Sequence, residues 1–177
     1  MKYTSEFDPA TQSAATNIDQ DVGASRAEKY KNTQKEVLAW IFEVLNVSNE
    51  KQREYTDAGA DLVDILKDGQ LLCQIGNKYG LDLSPTAKCR NSRMPFVQME
   101  NIMFFLQFCE MVGVAHDEIF QTIDLFERKD PYQVVVTLMA FSRLASQKRP
   151  GVFKTAIGPR AARVKPQVPV KPFKLRL

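Results

Sequence analysis

The sequence predicts an all-α fold, and three observations support this prediction. Apolar side chains recur at helical spacing in four separate segments, whereas no segment alternates apolar and polar residues as a half-exposed strand would. Start and stop signals bound those segments, such as Asp130-Pro131 before the last helix and Gly113 after the one before it. The composition, 44% hydrophobic and 25% charged, is that of an ordinary globular domain.

The first predicted helix covers residues 33–46. Thr33 and Glu36 have the spacing of a capping box, in which each side chain binds the free amide of the other residue. The apolar residues that follow are expected to face the core: Val37, Trp40, Ile41, Val44 and Leu45. Residues 1–30 are polar and poorly patterned, so we predict a partly disordered flanking segment without a core element.

The second helical unit follows a polar connection predicted over residues 46–59. It covers residues 61–66, breaks at Asp68-Gly69 and restarts as a helix that ends at Gly80. The restarted helix has one apolar face, made of Leu71, Leu72, Ile75 and Tyr79. Residues 81–94 follow as a predicted loop.

Two longer helices complete the predicted bundle, with one or two short helical turns between them over residues 116–126. The first long helix begins at Pro95, because a missing amide is tolerated at a helix start. Its predicted inward stripe is Phe96, Met99, Ile102, Met103, Leu106 and Cys109. The last helix follows Asp130-Pro131, and its predicted inward residues are Val134, Val135, Leu138, Phe141 and Ala145.

The charge distribution separates the end of the chain from its body. Residues 148–177 carry nine basic residues, five prolines and no acidic residue, while residues 1–147 carry 15 basic and 21 acidic residues. Prolines exclude a continuous helix there, so we predict an extended basic, proline-rich tail outside a domain of residues 31–147. Such an asymmetry is typical of an arm directed at an acidic surface, and a solubilising linker is the alternative.

The cysteines and the chain start favour a cytoplasmic location. Cys73, Cys89 and Cys109 are odd in number and widely spaced, so we expect free thiols and neither a disulfide framework nor a zinc site. Cys89 is the thiol expected to be exposed. The first ten residues lack the apolar stretch of a signal peptide, and no apolar run has the length of a membrane span.

Candidate catalytic residues are scarce, and we expect a binding protein that needs no cofactor. His116 directly precedes two acidic residues at a predicted helix start, where a capping or surface role is expected. Cys109 lies on an apolar stripe, where a buried, inert thiol is the usual outcome. The sequence also lacks a phosphate-binding loop and a dinucleotide-binding glycine pattern.

Three motifs stand out along the helical body: Leu66-Lys-Asp-Gly-Gln-Leu-Leu-Cys73, Met94-Pro-Phe-Val-Gln-Met-Glu-Asn101 and Phe120-Gln-Thr-Ile-Asp-Leu-Phe-Glu127. Together they resemble a single calponin homology domain of the transgelin/calponin type, and the last is especially similar to the fungal transgelins. The resemblance implies a compact bundle of four main helices with short connecting helices, and a protein that binds and bundles actin filaments. The Gly-Ala-Ser-Gln repeat that follows the domain in that family does not occur here.

The expected function is therefore the binding and cross-linking of actin filaments by a monomer. The resemblance implies that a single domain of this type binds actin weakly or not at all by itself, so we assign most of the affinity to the basic tail. Its candidate contacts are Lys148, Arg149, Lys154, Arg160, Arg163, Lys165, Lys171, Lys174 and Arg176. Related domains use the start of the first helix for actin, which implies a further contact at Lys31, Gln34 and Lys35.

The tail also supports a second hypothesis, that of an adaptor recruited by SH3 domains. Pro166, Pro169 and Pro172 are three residues apart, as on one edge of a polyproline II helix. Arg163 and Lys171 flank them as an SH3 ligand of either orientation would require. Nucleic-acid binding, with Phe153 and Phe173 for base stacking, is less favoured because the body is acidic, and the prolines disfavour a membrane-surface helix.

Overall fold

The structure is a computed structural model that describes the backbone of residues 10–158 and the side chains of residues 18–158. In that part of the chain every regular element is helical, which confirms the predicted all-α fold. Two 3₁₀ turns, at Pro85–Lys88 and His116–Glu118, accompany the α-helices. The α-helices are α1 (Ala10–Leu45), α2 (Asn49–Asp57), α3 (Leu62–Leu66), α4 (Gln70–Tyr79), α5 (Pro95–Val112), α6 (Thr122–Phe126) and α7 (Pro131–Lys148).

The predicted start of the first helix at Thr33 is wrong, because α1 already begins at Ala10. The Thr33 hydroxyl does not cap a helix and donates to the Lys29 carbonyl oxygen at 2.8 Å, one turn back inside α1. The early part of α1 also contacts the fold. Tyr30 is buried in the core, and Arg26 donates to the carboxylate of Asp130 at 2.6 Å. The expectation that residues 1–30 contribute no core element is therefore wrong at Tyr30.

A second helix, α2, occupies the segment predicted as a polar connection. Its sequence, NEKQREYTD, contains good helix formers but a single large apolar residue, so it has no apolar stripe to indicate a helix. That residue, Tyr55, stacks on Phe42 of α1 with ring centroids 6.0 Å apart. This contact packs α2 along the outer face of α1.

The break at Asp68-Gly69 is confirmed, and its cause is a close approach of two helices. Gly69 has a φ of 72°, and a Cβ atom built on it would lie 2.7 Å from Cβ of Asn101 on α5. Asn101 is buried and its side-chain amide donates to the Asp68 carbonyl oxygen at 3.0 Å. The apolar face predicted for α4 is buried as expected, and Gly80 ends the helix.

The inward stripe predicted for α5 is only partly correct. Ile102 and Cys109 are buried, but Phe96 is 70% exposed and Met103 is 42% exposed. The core-facing positions belong instead to Asn101, Phe105, Phe108 and Val112 as well as Ile102 and Cys109. Because apolar residues surround most of α5, their spacing does not single out the buried face.

Helix α7 supplies the centre of the core, and its five predicted inward residues are all buried. The ring of Phe141 lies among other aromatic rings, with centroid distances of 5.7 Å to Phe108, 6.2 Å to Tyr79 and 6.3 Å to Trp40. Such tilted and edge-on pairs add to the free energy of burial. The aromatic cluster therefore joins α1, α4, α5 and α7.

The chain after α7 is not a free tail at first. We call residues 149–158 the C-terminal strap, because they cross α1 and α7 and close the aromatic cluster. Phe153 is fully buried and stacks on Trp40, whose indole nitrogen donates to the Thr155 carbonyl oxygen at 3.0 Å. The Ile157 amide donates to the Ser142 hydroxyl at 3.1 Å. The prediction that the chain leaves the fold at Lys148 is wrong for the strap.

The expectation of three free thiols is also wrong. Cys73 of α4 and Cys89, which follows the first 3₁₀ turn, form a disulfide with their Cα atoms 6.3 Å apart. Cys109 is free and fully buried. The packing of the 81–94 connection against α4 brings the pair together, and spacing in the sequence does not show this.

Candidate functional site

The basic positions predicted on the domain lie on the solvent-facing side of α1. Lys31 and Lys35 are exposed and four residues apart, so they share one face of the helix. Gln34 differs from them, because it is half-buried and its side-chain oxygen accepts a hydrogen bond from the Leu62 amide at 3.5 Å. Lys31 and Lys35 are therefore exposed cations, whereas Gln34 accepts a hydrogen bond from the backbone at the start of α3.

An apolar groove continues the same face of α1 toward its end. Leu38 and Phe42 follow Lys35 at helical spacing, and Tyr55 of α2 and Ile65 of α3 form the opposite wall. The groove has a volume of about 570 Å³. It exists because α2 lies beside α1 and leaves a cleft between them. We call Lys31, Lys35 and this cleft the α1–α2 site.

An ion cluster at the start of α3 supports one wall of this site. Arg128 donates to Asp64 at 2.6 Å and also to Asp61, which borders the groove. Burial raises the pKa of the Asp64 carboxyl, but the hydrogen bonds from Arg128 and the Asp61 amide outweigh it, so the pKa lies below its ordinary value. Arg128 holds this position with a φ of 58°, in the left-handed region.

Tyr30 connects the same cluster to α1. Its hydroxyl accepts a hydrogen bond from the Val63 amide at 3.4 Å, at the start of α3. Burial and the nearby Asp61 carboxylate raise the pKa of the Tyr30 phenol well above its ordinary value. The phenol therefore stays neutral and links α1 to α3 over the whole physiological pH range.

The first two cations of the predicted tail donate hydrogen bonds to backbone carbonyl oxygens of the domain. The Lys148 ammonium donates to the Val112 carbonyl oxygen at 2.6 Å, at the end of α5. Arg149 lies over the ring of Tyr79 and donates to the Gly80 carbonyl oxygen at 3.3 Å. Lys154 is exposed on the strap. Of these three predicted contacts, only Lys154 points its charge to solvent without such a partner among the described residues.

The remaining tail predictions lie outside the described residues. They concern the other candidate filament contacts and the predicted SH3 ligand: Arg160, Arg163, Lys165, Pro166, Pro169, Lys171, Pro172, Lys174 and Arg176. Phe173, named for base stacking, also lies outside them, while Phe153 is buried against Trp40 and cannot stack on a base.

The two residues considered for catalysis lie in unlike surroundings. The His116 side chain is 95% exposed, with Nδ1 3.9 Å from a Glu110 carboxylate oxygen. Burial raises the pKa of the Cys109 thiol, which keeps it protonated and weakly nucleophilic. Between residues 18 and 158 no group of three or more potential metal ligands occurs. None of the described helices could cross a bilayer.

Sequence reasoning missed the apolar half of the α1–α2 site and the strap. Leu38 and Phe42 are the available signal for the groove, because they lie on the opposite side of the first helix from Trp40. Phe153 and Ile157 are the corresponding signal for the strap, since two large apolar residues in a basic segment indicate burial.

Comparison with known proteins gives consistent matches over the helical body. The family model that matches is the calponin homology (CH) domain, over residues 31–147. The chain is 38% identical to transgelin of Saccharomyces cerevisiae over 160 residues, 88% of this chain and 76% of that protein. It is 38% identical to transgelin of Schizosaccharomyces pombe over 136 residues, 76% and 72% of the two chains. Myophilin of Echinococcus granulosus is 36% identical over 132 residues, 75% and 65% of the two chains.

Proposed function

The chain belongs to the calponin homology domain family, and from this premise we propose that it binds and cross-links actin filaments of the cytoplasmic cytoskeleton. Two surfaces carry the proposal: the basic arm, which we define as residues 159–177, and the α1–α2 site. The similarity to two transgelins over most of the chain supports this assignment.

The observation that carries the proposal is the charge of the basic arm. Residues 159–177 contain six cations and no Asp or Glu. Hydrogen bonds to the fold hold the side chains of Lys148 and Arg149 in place, whereas Lys154 is exposed on the strap and six more cations follow it in the arm. A filament with an acidic surface attracts such an arm, and the attraction weakens as the ionic strength rises.

The α1–α2 site supplies the second contact. Lys31 and Lys35 offer two charges, and the adjoining groove offers apolar surface between Leu38, Phe42 and Tyr55. A surface ion pair contributes only about 0–1 kcal/mol, so neither contact alone gives high affinity. Tethering the two raises the effective concentration of each, and contacts with different filaments would join the filaments.

A chain that ends at Gly158 is the test of the arm, because it keeps the strap and its buried Phe153. In filament co-sedimentation we expect it to bind at least about tenfold more weakly than the full chain at low salt, since several ion pairs are lost together. A rising salt concentration should weaken the full chain more than the shortened one. Equal binding by both chains would reject the arm as the main contact.

The α1–α2 site is tested with the double variant Lys31→Ala and Lys35→Ala. We expect about fivefold weaker binding from the loss of about 1 kcal/mol. Its matched control is Lys78→Ala and Lys129→Ala, which removes the same charge from exposed positions on α4 and after α6. If both double variants weaken binding equally, net charge and not this site is responsible.

The alternative function is that of an adaptor that SH3 domains recruit and that has little direct affinity for actin. Its support is the pattern of Pro166 and Pro169 flanked by Arg163 and Lys171. Replacing both prolines by alanine keeps every charge of the arm. This variant should sediment with filaments as the full chain does and lose any SH3 binding. If the full chain does not sediment with filaments but still binds an SH3 domain, the adaptor function replaces the proposal above.

A further inference from the structure

The two bonded cysteines differ in their access to solvent. Cys73 lies on the buried face of α4 and is 2% exposed, whereas Cys89 is half-buried in the connection between α4 and α5. Lys88 and Arg90 flank Cys89 in the chain, and both are exposed cations, of which Arg90 is paired with Glu100. A small anionic reagent can therefore approach the sulfur of Cys89, while the sulfur of Cys73 is shielded by the core.

We propose that Cys73 and Cys89 form a reversible thiol–disulfide exchange site for a small anionic disulfide, such as glutathione disulfide. Cys89 reacts first and Cys73 completes the internal bond. The site is independent of the α1–α2 site and of the basic arm, and its test does not depend on filament binding.

The fold can accommodate the reduced pair, which is what a reversible site requires. In the structure the sulfur atoms of Cys73 and Cys89 lie 3.5 Å and 3.9 Å from the carbonyl oxygen of Asn101. Each reduced thiol would thus have a hydrogen-bond acceptor without a rearrangement of α5. The cysteines then have suitable partners in both oxidation states.

Other contacts hold the connection in place without the covalent bond. The Asn101 side chain accepts from the Arg90 amide at 3.0 Å and donates to the Arg90 carbonyl oxygen at 2.9 Å. The Thr86 hydroxyl donates to the side chain of Asn77 at 2.8 Å, against α4. Since these bonds remain after reduction, the two sulfurs stay close together and the internal bond can form again.

The exchange balances with one molecule of a symmetric disulfide. The Cys89 thiolate attacks one sulfur of glutathione disulfide, forms a mixed disulfide and releases one glutathione thiolate. The Cys73 thiolate then attacks Cys89 sulfur, and the second glutathione leaves as a thiolate. The two protein thiols lose two electrons and two protons, and the disulfide reagent is reduced to two molecules of glutathione.

Closing the bond also constrains the chain between Cys73 and Cys89 in the unfolded state. For a loop of this size we expect the oxidised chain to melt about 6–12 °C above the reduced chain. A melting temperature that is unchanged by reduction, with the bond verified by mass spectrometry, would overturn this stabilising role.

The order of reaction is tested on the reduced full-length chain, with glutathione disulfide as the probe and peptide mass spectrometry as the readout. The natural chain should yield the Cys73–Cys89 bond, and Cys73→Ser should stop at one glutathione on Cys89. Cys89→Ser should react about tenfold or more slowly, because Cys73 is shielded. The buried Cys109 is the internal control and should remain unmodified.

Two results would overturn the proposal. The first is that both thiols of the natural chain stay free in excess glutathione disulfide. The second is that Cys89→Ser forms its adduct as fast as Cys73→Ser does. Circular dichroism of both serine variants before the reaction establishes that each is folded, so that a fast reaction of Cys73 cannot come from an unfolded chain.

Discussion

Replacing Phe153 by alanine measures how strongly the C-terminal strap is bound to the helical body. The Phe153 side chain is fully buried, and its ring lies 6.2 Å from Trp40, 5.9 Å from Tyr79 and 5.7 Å from Phe141. Removing a buried phenyl ring from such a cluster costs about 3–5 kcal/mol, from lost apolar burial and the cavity that remains. The variant should lower the free energy of unfolding by that amount.

Urea unfolding followed by Trp40 fluorescence is the suitable assay, because the indole contacts both the ring of Phe153 and the Thr155 carbonyl oxygen. Val152→Ala is the matched control, since Val152 is adjacent and 38% exposed, and it should cost less than about 1 kcal/mol. If Phe153→Ala costs no more than this control, the strap is not part of the core.

Three further predictions concern the backbone and the ion cluster. In urea unfolding, Arg128→Ala should be less stable than Arg128→Gly by about 1 kcal/mol. Both variants lose the ion pairs to Asp61 and Asp64, but only glycine adopts a φ of 58° without strain. Equal stabilities of the two variants would contradict this. Because the pKa of Asp64 is lowered in the folded state, its carboxylate stabilises the fold above pH 4, and this stabilisation is lost as the pH falls. The urea midpoint of the natural chain should therefore drop more between pH 6 and pH 3 than that of Asp64→Asn. Parallel pH curves for the two proteins would exclude this role. Gly69→Ala should lower the free energy of unfolding by more than about 2 kcal/mol, because the φ of Gly69 is 72° and the new Cβ atom would meet Asn101. Gly23→Ala, in the open middle of α1, should instead raise it by about 0.5–1 kcal/mol. Similar effects at both glycines would refute the close approach of Gly69 to α5.

The elements that could be predicted from sequence are those whose local signals agree with their packing. Asp130-Pro131 begins α7 and Gly80 ends α4, and at both places the signal concerns the backbone of the residues themselves. The five inward residues predicted for α7 are all buried, but the helix is buried on its other sides as well, at Thr137, Met139, Ala140 and Ser142. Local chemistry is sufficient in these cases.

The missed features depend on residues that are distant in the chain. Helix α2 has no apolar stripe of its own and is held by the contact of Tyr55 with Phe42. Which face of α5 is buried depends on its packing against Phe141 of α7, which contacts Phe105 and Phe108, and not on the sequence of α5 alone. The Cys73–Cys89 bond likewise needs the connection folded back on α4. None of these contacts has a signature in a window of neighbouring residues.

The candidate site was predictable only in its charged half. Lys31 and Lys35 were named because the resemblance to related domains indicated the start of the first helix. The structure shows both exposed, and it assigns Gln34 to the start of α3 instead. The groove beside them requires α2, and because residues 46–59 have no apolar stripe that would indicate a helix, the sequence does not predict the groove.

Because the strap is anchored to the helical body, the point from which the basic arm (residues 159–177) reaches a partner is fixed. Their origin is held beside Met139, so close that a Cβ atom on Gly158 would clash with the methionine sulfur. From that fixed point their covalent length allows a radius of at most about 65 Å. A segment that is tethered at a fixed point can reach a smaller volume than one that is tethered at a mobile point. Loosening the strap would therefore lengthen the reach of the cations while lowering their local concentration at any one landing place.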